Sequence, residues 1–123
     1  MNGEKILLDT NIALYFLGGD ATLAAVIDQK EVFLSVISEM EMLGYPSITN
    51  DEIDRIKTFI GDCSVLELTT AVKEKAIFIR RQYNLKLPDA IIAATAIQAN
   101  IPFISSDAIF KRISELHFIE YKF

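Results

Sequence analysis

The chain has 123 residues, of which 51% are hydrophobic and 24% charged, and its net charge is −5 at neutral pH. This length and balance predict one compact domain and exclude a long disordered tail. The single cysteine, Cys63, and the single histidine, His117, exclude an internal disulfide and a zinc site built from cysteine and histidine. The acidic balance also argues against a broadly basic, nucleic-acid-binding surface.

The N-terminal region resembles neither a signal peptide nor a membrane span. Its apolar segment is interrupted at Asp9, and no small-residue cleavage site follows. No window approaches the roughly 18 uninterrupted apolar residues of a spanning helix. We therefore expect a cytoplasmic protein that has no contact with a membrane.

Short apolar segments alternate with helical patterns along the whole chain. The predicted strands are residues 5–8, 32–35, 64–68, 101–106 and 117–123. The predicted helices are residues 11–17, 22–29, 38–43, 49–61, 72–83, 87–100 and 108–113, of which 87–100 is apolar nearly all round and should be the most buried. This alternation indicates an α/β fold in three layers, with a mainly parallel sheet of four to five short strands flanked by helices.

Four acidic residues stand where predicted elements meet. Asp9 ends the first strand, and Asp107 follows the fourth. Glu41 is expected in the first turn of the helix after the second strand, and Asp89 in the first turn of the buried helix. Because ligands of parallel α/β sheets bind beyond the carboxyl ends of the strands, this placement permits one acidic cluster at that edge.

Each of these carboxylates also fits a local role at the start of a helix. The capping positions are Asp9, Asp107, the Ser-x-x-Glu box from Ser38 to Glu41, and the Pro88-Asp89 pair. Residues 49–52, Thr-Asn-Asp-Glu, serve as a control because they cap a helix without suggesting catalysis. Capping is the simpler explanation when the residues are taken one at a time.

A cluster of four carboxylates costs more free energy than capping contributes. A cap contributes roughly 1 kcal/mol, whereas two carboxylates about 5 Å apart repel each other by on the order of 3 kcal/mol at an effective dielectric near 20. A bound divalent cation removes this repulsion, and hard oxygen ligands without His or Cys suit Mg²⁺ or Mn²⁺. Such an ion activates water and holds phosphate oxygens, as in nucleases and phosphatases.

The acidic segments share a wider pattern along the chain. In order, they read LLDTNIAL, SVISEMEMLGY, LPDAIIAATAI and PFISSDAIFKRI. In order and spacing they resemble the four acidic motifs of PIN-domain ribonucleases, and most of all the VapC-type toxins of VapBC toxin–antitoxin modules. The resemblance covers nearly the whole chain and implies a single PIN domain over residues 1–123.

The resemblance implies catalytic roles for the four motif carboxylates, Asp9, Glu41, Asp89 and Asp107. The three aspartates would bind Mg²⁺ or Mn²⁺, with Asp107 acting directly or through water. Glu41 would be a further ligand or a base that orients water. Thr10, Asn11 and Ser105 would support these groups, and the Ser105 hydroxyl would orient a carboxylate or a metal-bound water.

The chain departs from the usual motifs at a few positions. Ser38 and Ser105 replace threonine, and Met42 replaces leucine. Ser106 stands where many relatives carry arginine, which removes one expected contact with the substrate backbone.

The activity implied by the resemblance is that of a Mg²⁺- or Mn²⁺-dependent endoribonuclease, the toxin of a type II toxin–antitoxin system. It would hydrolyse RNA to 5′-phosphate and 3′-hydroxyl ends, form a homodimer and be inhibited by a DNA-binding antitoxin. The alternative is a catalytically weak or inactive PIN-like module that binds RNA or protein. A haloacid-dehalogenase-type phosphatase also begins with a strand and an aspartate, but it requires a second aspartate where this chain has Asn11.

The remaining polar and aromatic residues receive weaker expectations. Segment 45–60 is a candidate dimer or antitoxin surface, and Tyr15 and Phe16 are expected in the core. The basic residues could contact RNA phosphates or belong to solvated helix faces. They are Arg80, Arg81, Lys86, Lys111 and Arg112.

Overall fold

Five strands and seven helical segments form the part of the protein that the computed structural model describes, residues 4–123. The strands are β1 (Lys5–Leu8), β2 (Glu31–Ser35), β3 (Ser64–Leu66), β4 (Phe103–Ser105) and β5 (Phe118–Glu120). The α-helices are α1 (Thr10–Leu17), α2 (Ala21–Ile27), α3 (Val36–Leu43), α4 (Asn50–Gly61), α5 (Thr70–Tyr83) and α6 (Leu87–Ala99). A 3₁₀ helix covers Ala108–Arg112.

All five strands are parallel and form one sheet in the order β3-β2-β1-β4-β5. β1 is central, and the chain builds the sheet first on its β2 side and later on its β4 side. Leu8 pairs with Ile104, so the ends of β1 and β4 lie side by side. Such a point, where strand order reverses, is where α/β sheets form their binding crevice.

Alternate residues of the strands point to opposite faces, and helices cover both faces. Leu7, Phe33 and Phe103 belong to one buried cluster with residues of α5 and α6. Ile6 and Leu8 belong to a second cluster with residues of α1, α2 and α4. The predicted three-layer α/β fold is therefore confirmed. Helix α6 is buried over seven consecutive residues from Ala90 to Ala96, as its apolar sequence predicts.

The start of α3 differs from the prediction. The helix begins at Val36, and Ser35 is its N-cap, with Ser35 Oγ accepting a hydrogen bond of 3.1 Å from the Ile37 amide. Ser38 therefore lies within the helix and is fully buried. The predicted capping box from Ser38 to Glu41 is wrong, and Glu41 falls in the second turn. Because a serine already stands at the end of β2, the N-cap lies three residues earlier than predicted.

The environment of Tyr15 also differs from the prediction. Its side chain is 51% exposed rather than in the core, and its ring packs against Phe123 with centroids 4.1 Å apart. Phe16, one residue on, is half-buried and packs against Phe59. Adjacent residues on a helix point about 100° apart, and here Phe16 rather than Tyr15 packs against the buried cluster beside the sheet.

Within residues 4–123 no single helix is long and apolar enough to cross a membrane. Helices α1 and α2 satisfy that length and composition only as a pair, and they are bent by 115°.

Candidate active site

Asp9 lies at the end of the central strand, where it is held by hydrogen bonds. It is the N-cap of α1 and only 9% exposed. Asp9 Oδ1 accepts a hydrogen bond of 2.9 Å from the Thr10 amide, and Asp9 Oδ2 accepts one of 2.6 Å from the Ser105 hydroxyl. Ser105 is fully buried and ends the adjacent strand, β4. Its hydroxyl also accepts a bond from the Asp107 amide, which ties three elements of the site together.

Glu41 reaches the same region from α3. The Thr10 hydroxyl oxygen lies 2.6 Å from Glu41 Oε1 and 2.8 Å from the hydroxyl oxygen of Ser38. Thr10 thus contacts two carboxylates, Asp9 through its amide and Glu41 through its side chain.

Asp89 and Asp107 stand at the starts of two further helical segments. Asp107 is the N-cap of the 3₁₀ helix, and its Oδ1 accepts a hydrogen bond of 3.0 Å from the Ile109 amide. Asp89 lies in the first turn of α6 and is half-buried. Across residues 4–123, no side chain or amide donates a hydrogen bond to the Asp89 carboxylate. Asp89 is therefore the least constrained of the four.

A cleft of about 290 Å³ brings these groups together. Its lining residues are Asp9, Thr10, Asn11, Glu41, Asp89 and Asp107. The structure thus gathers all four predicted carboxylates with Thr10 and Asn11, while Ser105 is buried beneath Asp9. Their catalytic roles stay predictions. The sequence analysis placed Ser38 in the second acidic motif but gave it only a capping role, although its position three residues before Glu41 places both on one side of α3.

The family model of the PIN domain matches residues 6–116. The chain belongs to the PIN-domain family. Its fold is similar to that of a toxin–antitoxin complex from Klebsiella pneumoniae, with a TM-score of 0.80 and 26% identity over 96% of this chain and 99% of that chain. No curated protein matches the sequence at a significant level.

Two further PIN-like structures are VapBC complexes. VapBC2 from Rickettsia felis, bound to a DNA fragment from its promoter, has a TM-score of 0.85 at 16% identity and covers 96% of this chain and 99% of that chain. VapBC-1 from nontypeable Haemophilus influenzae has a TM-score of 0.83 at 21% identity and covers 94% of this chain and 97% of that chain. These similarities establish the PIN fold and agree with the motif resemblance to VapC-type toxins.

The electrostatics of this PIN-domain cleft are unfavourable for two of its carboxylates. Burial raises the pKa of Asp9, although hydrogen bonds from Ser105 and Thr10 oppose the rise, and the charges of Asp89 and Glu41 add to it. Burial also raises the pKa of Asp89, and the charges of Asp107 and Glu41 contribute further. Each of the four carboxylates thus acts on at least one other.

No ion pair relieves this repulsion within the described chain. The ion pairs of residues 4–123 lie elsewhere and join Glu4 to Lys30, Glu115 to Lys75, and Glu120 to Lys111. The charge of Lys86 lowers the pKa of Asp89, but this effect is weaker than those of burial, Asp107 and Glu41. The cleft is therefore acidic and uncompensated.

The chemistry of the donors fits a hard divalent cation. All four candidate ligands are carboxylates in a cleft without sulfur or imidazole, as Mg²⁺ and Mn²⁺ prefer. In residues 4–123, no three acidic, His or Cys side chains already stand close enough together to hold a metal. The four carboxylates line one cleft, and a bound cation would relieve their mutual repulsion.

Two of the predicted basic contacts with RNA are already engaged elsewhere. Lys111 Nζ lies 2.9 Å from Glu120 Oε1, and Arg112 donates a hydrogen bond to the carbonyl oxygen of Tyr83. Lys86 is exposed beside the cleft, three residues before Asp89. Arg80 and Arg81 lie in the last turn of α5.

Proposed function

We propose that this PIN domain is a Mg²⁺- or Mn²⁺-dependent endoribonuclease and the toxin of a type II toxin–antitoxin module. The observation that carries the proposal is the cleft itself, in which four carboxylates converge without a cationic partner. A local capping role explains neither the burial of Asp9 nor its proximity to other carboxylates. A cation site accounts for both, because a bound metal would offset the cost of each.

Asp9, Asp89 and Asp107 would hold the cation. When bound, the ion supplies Lewis-acid stabilisation of phosphate oxygens and activates water for attack on the phosphodiester. It also makes an acidic cleft attractive to a polyanion, which reconciles the net charge of −5 with an RNA substrate.

The protein's own side chains have distinct tasks in this mechanism. Ser105 and the Thr10 amide hold both oxygens of Asp9, so this ligand is preorganised. Asp89, in the first turn of α6, would be a further ligand of the ion. Glu41 Oε1 accepts a hydrogen bond from Thr10, which leaves Oε2 available to accept a proton from the attacking water.

An antitoxin partner is proposed from the toxin–antitoxin complexes to which the fold is similar. A groove of about 360 Å³ supports the proposal, since most of its lining is apolar and includes Leu14, Tyr45 and Ile56, with Glu41 and Glu52 at its polar positions. This groove includes part of segment 45–60, the surface that the sequence suggested. A homodimer and a cytoplasmic location stay predictions.

The test is cleavage of a generic RNA with Mg²⁺ or Mn²⁺ and with EDTA. We expect cleavage only with metal, and 5′-phosphate and 3′-hydroxyl ends. Asp9→Asn should reduce the rate on the order of 10³-fold, because loss of a metal ligand removes several kcal/mol of transition-state stabilisation. Asp20→Asn is the matched control: Asp20 caps α2 as Asp9 caps α1, but it lies outside the cleft.

Metal-independent cleavage, or full activity of Asp9→Asn, would contradict the proposed mechanism. RNA binding without cleavage under any metal condition would favour the alternative, a binding module.

A further inference from the structure

Ser38 is a buried polar residue that is not the N-cap of its helix. Its side chain is fully buried in α3, and the N-cap of that helix is Ser35. The Ser38 hydroxyl oxygen lies 2.8 Å from the Thr10 hydroxyl oxygen, and Thr10 is its hydrogen-bond partner within the described residues. The contact joins α3 to the start of α1, immediately after Asp9.

The direction of the hydrogen bonds follows from the number of hydrogens. Thr10 has one hydroxyl hydrogen and two neighbours, Ser38 Oγ and Glu41 Oε1. A carboxylate only accepts, so Thr10 donates to Glu41 over 2.6 Å. Because the only hydroxyl hydrogen of Thr10 is used in that bond, Ser38 must donate its own hydroxyl hydrogen to Thr10 Oγ1. The result is a chain of two hydrogen bonds, from Ser38 to Thr10 and from Thr10 to Glu41.

These two hydrogen bonds restrain the Glu41 carboxylate, which is not fixed by burial. Glu41 is exposed, and a glutamate side chain loses much rotamer freedom when it is fixed. The Thr10 hydroxyl alone can rotate about its C–O bond. When Ser38 occupies a lone pair of Thr10 Oγ1, it directs the Thr10 hydrogen towards Glu41 and polarises that second bond.

We propose that Ser38 is a positioning residue, which orients Glu41 in the cleft through the Thr10 hydroxyl without touching metal or RNA. The catalytic consequence rests on the proposed nuclease function. The orientation of Glu41 is a property of the metal-free protein and can be measured separately.

The kinetic test compares Ser38→Ala with wild type under metal-saturated conditions. Loss of a residue that orients a metal-site group typically costs 10- to 100-fold, so we expect kcat to fall about tenfold while KM for RNA stays unchanged. Ser38→Thr should restore kcat because it keeps the hydroxyl. Ser38→Cys, similar in shape but a weak donor, should behave like Ser38→Ala and replaces it if the alanine variant does not fold.

Ser35→Ala is the matched control for these variants. Ser35 is an equally buried serine of the same strand–helix junction, but its hydroxyl accepts from the Ile37 amide and takes no part in the chain to Glu41. We expect Ser35→Ala to lower the melting temperature and leave kcat unchanged. Equal losses of kcat in Ser35→Ala and Ser38→Ala would show that Ser38 acts only through the helix, which overturns the proposal.

The second readout is independent of cleavage. Three-bond NMR couplings report the χ1 and χ2 rotamers of Glu41 in the metal-free protein, and we expect one rotamer in wild type and Ser38→Thr. In Ser38→Ala and Ser38→Cys the couplings should average. An unchanged single rotamer in both would overturn the positioning role, even if kcat falls. Absence of RNA cleavage by wild type overturns the nuclease function instead, and averaged couplings in the variants would still support the orientation of Glu41.

Discussion

Two acidic residues at helix starts, Glu52 in α4 and Asp9 before α1, behave in opposite ways. Glu52 forms a reciprocal capping box, in which its Oε1 accepts from the Thr49 amide over 2.9 Å and its own amide donates to Thr49 Oγ1 over 3.1 Å. These hydrogen bonds lower the pKa of Glu52. Asp9 also accepts two hydrogen bonds, yet burial raises its pKa.

The difference shows what separates a structural carboxylate from a candidate ligand. Local sequence supplies hydrogen-bond donors in both places. Around Glu52 the charge remains in water, so the donors stabilise the ionised form. Around Asp9 the donors are outweighed by desolvation and by the charges of Asp89 and Glu41. A carboxylate that stays unfavourable despite its hydrogen bonds is one that a cation would stabilise.

The largest effect should be metal-dependent stabilisation of the cleft. At a Mn²⁺ concentration 100 times its Kd, binding adds about 2.7 kcal/mol to the free energy of unfolding. For a chain of this size that raises the melting temperature by roughly 10 °C. Asp89→Asn should abolish the shift in differential scanning fluorimetry, and Glu52→Gln should retain it. A melting temperature indifferent to millimolar Mn²⁺ in wild type would remove the distinction between the two carboxylates.

A smaller effect should appear in the pH dependence of the metal-free protein, because a proton on Asp9 removes the cost of its buried charge. The pKa of Asp9 is raised above its ordinary value of 3.8, so the native state binds the proton more tightly than the unfolded state. The stability from protonated Asp9 is complete below that ordinary value and is lost as pH rises through the raised pKa. Urea titrations in EDTA should therefore show that the free energy of unfolding of wild type rises relative to that of Asp9→Asn as pH falls.

Glu52 should change the stability in the opposite direction with pH in the same urea titrations. Its pKa is lowered from 4.5, so its stabilising contribution is present above that value and is lost as pH falls through the lowered pKa. Wild type should therefore lose its advantage over Glu52→Gln at acid pH. The same trend for both pairs would contradict the comparison.

The smallest effect should come from Thr49→Ala, which removes the capping box alone. Loss of a threonine N-cap costs about 1 kcal/mol of stability, or roughly 4 °C in melting temperature for a chain of this size. The rate of RNA cleavage well below the melting temperature should not change, because Thr49 lies outside the cleft. Thermal melts followed by circular dichroism measure the first quantity, and a lower cleavage rate would show that α4 contributes to the site.

The elements could be predicted well because their signals are local. Asp9, Thr49 and Asp107 are N-caps as the sequence indicated, and the apolar segment at residues 90–96 is the buried part of α6. The predicted start of α3 was wrong because two serines, Ser35 and Ser38, both fit the N-cap position. Only the end of β2 decides between them.

The amino-acid sequence by itself determined the α/β order, the N-caps Asp9, Thr49 and Asp107, and the presence of four carboxylates at element junctions. The tertiary structure decided which groups meet, since the Ser105–Asp9 bond joins residues 96 apart in the chain and the Thr10–Glu41 bond joins residues 31 apart. It also decided that the pKa of Asp9 is raised, because burial is the largest cause of that shift. Hydrogen bonding at a helix start depends on a few neighbouring residues, whereas burial and charge repulsion depend on how the sheet brings distant segments to one edge.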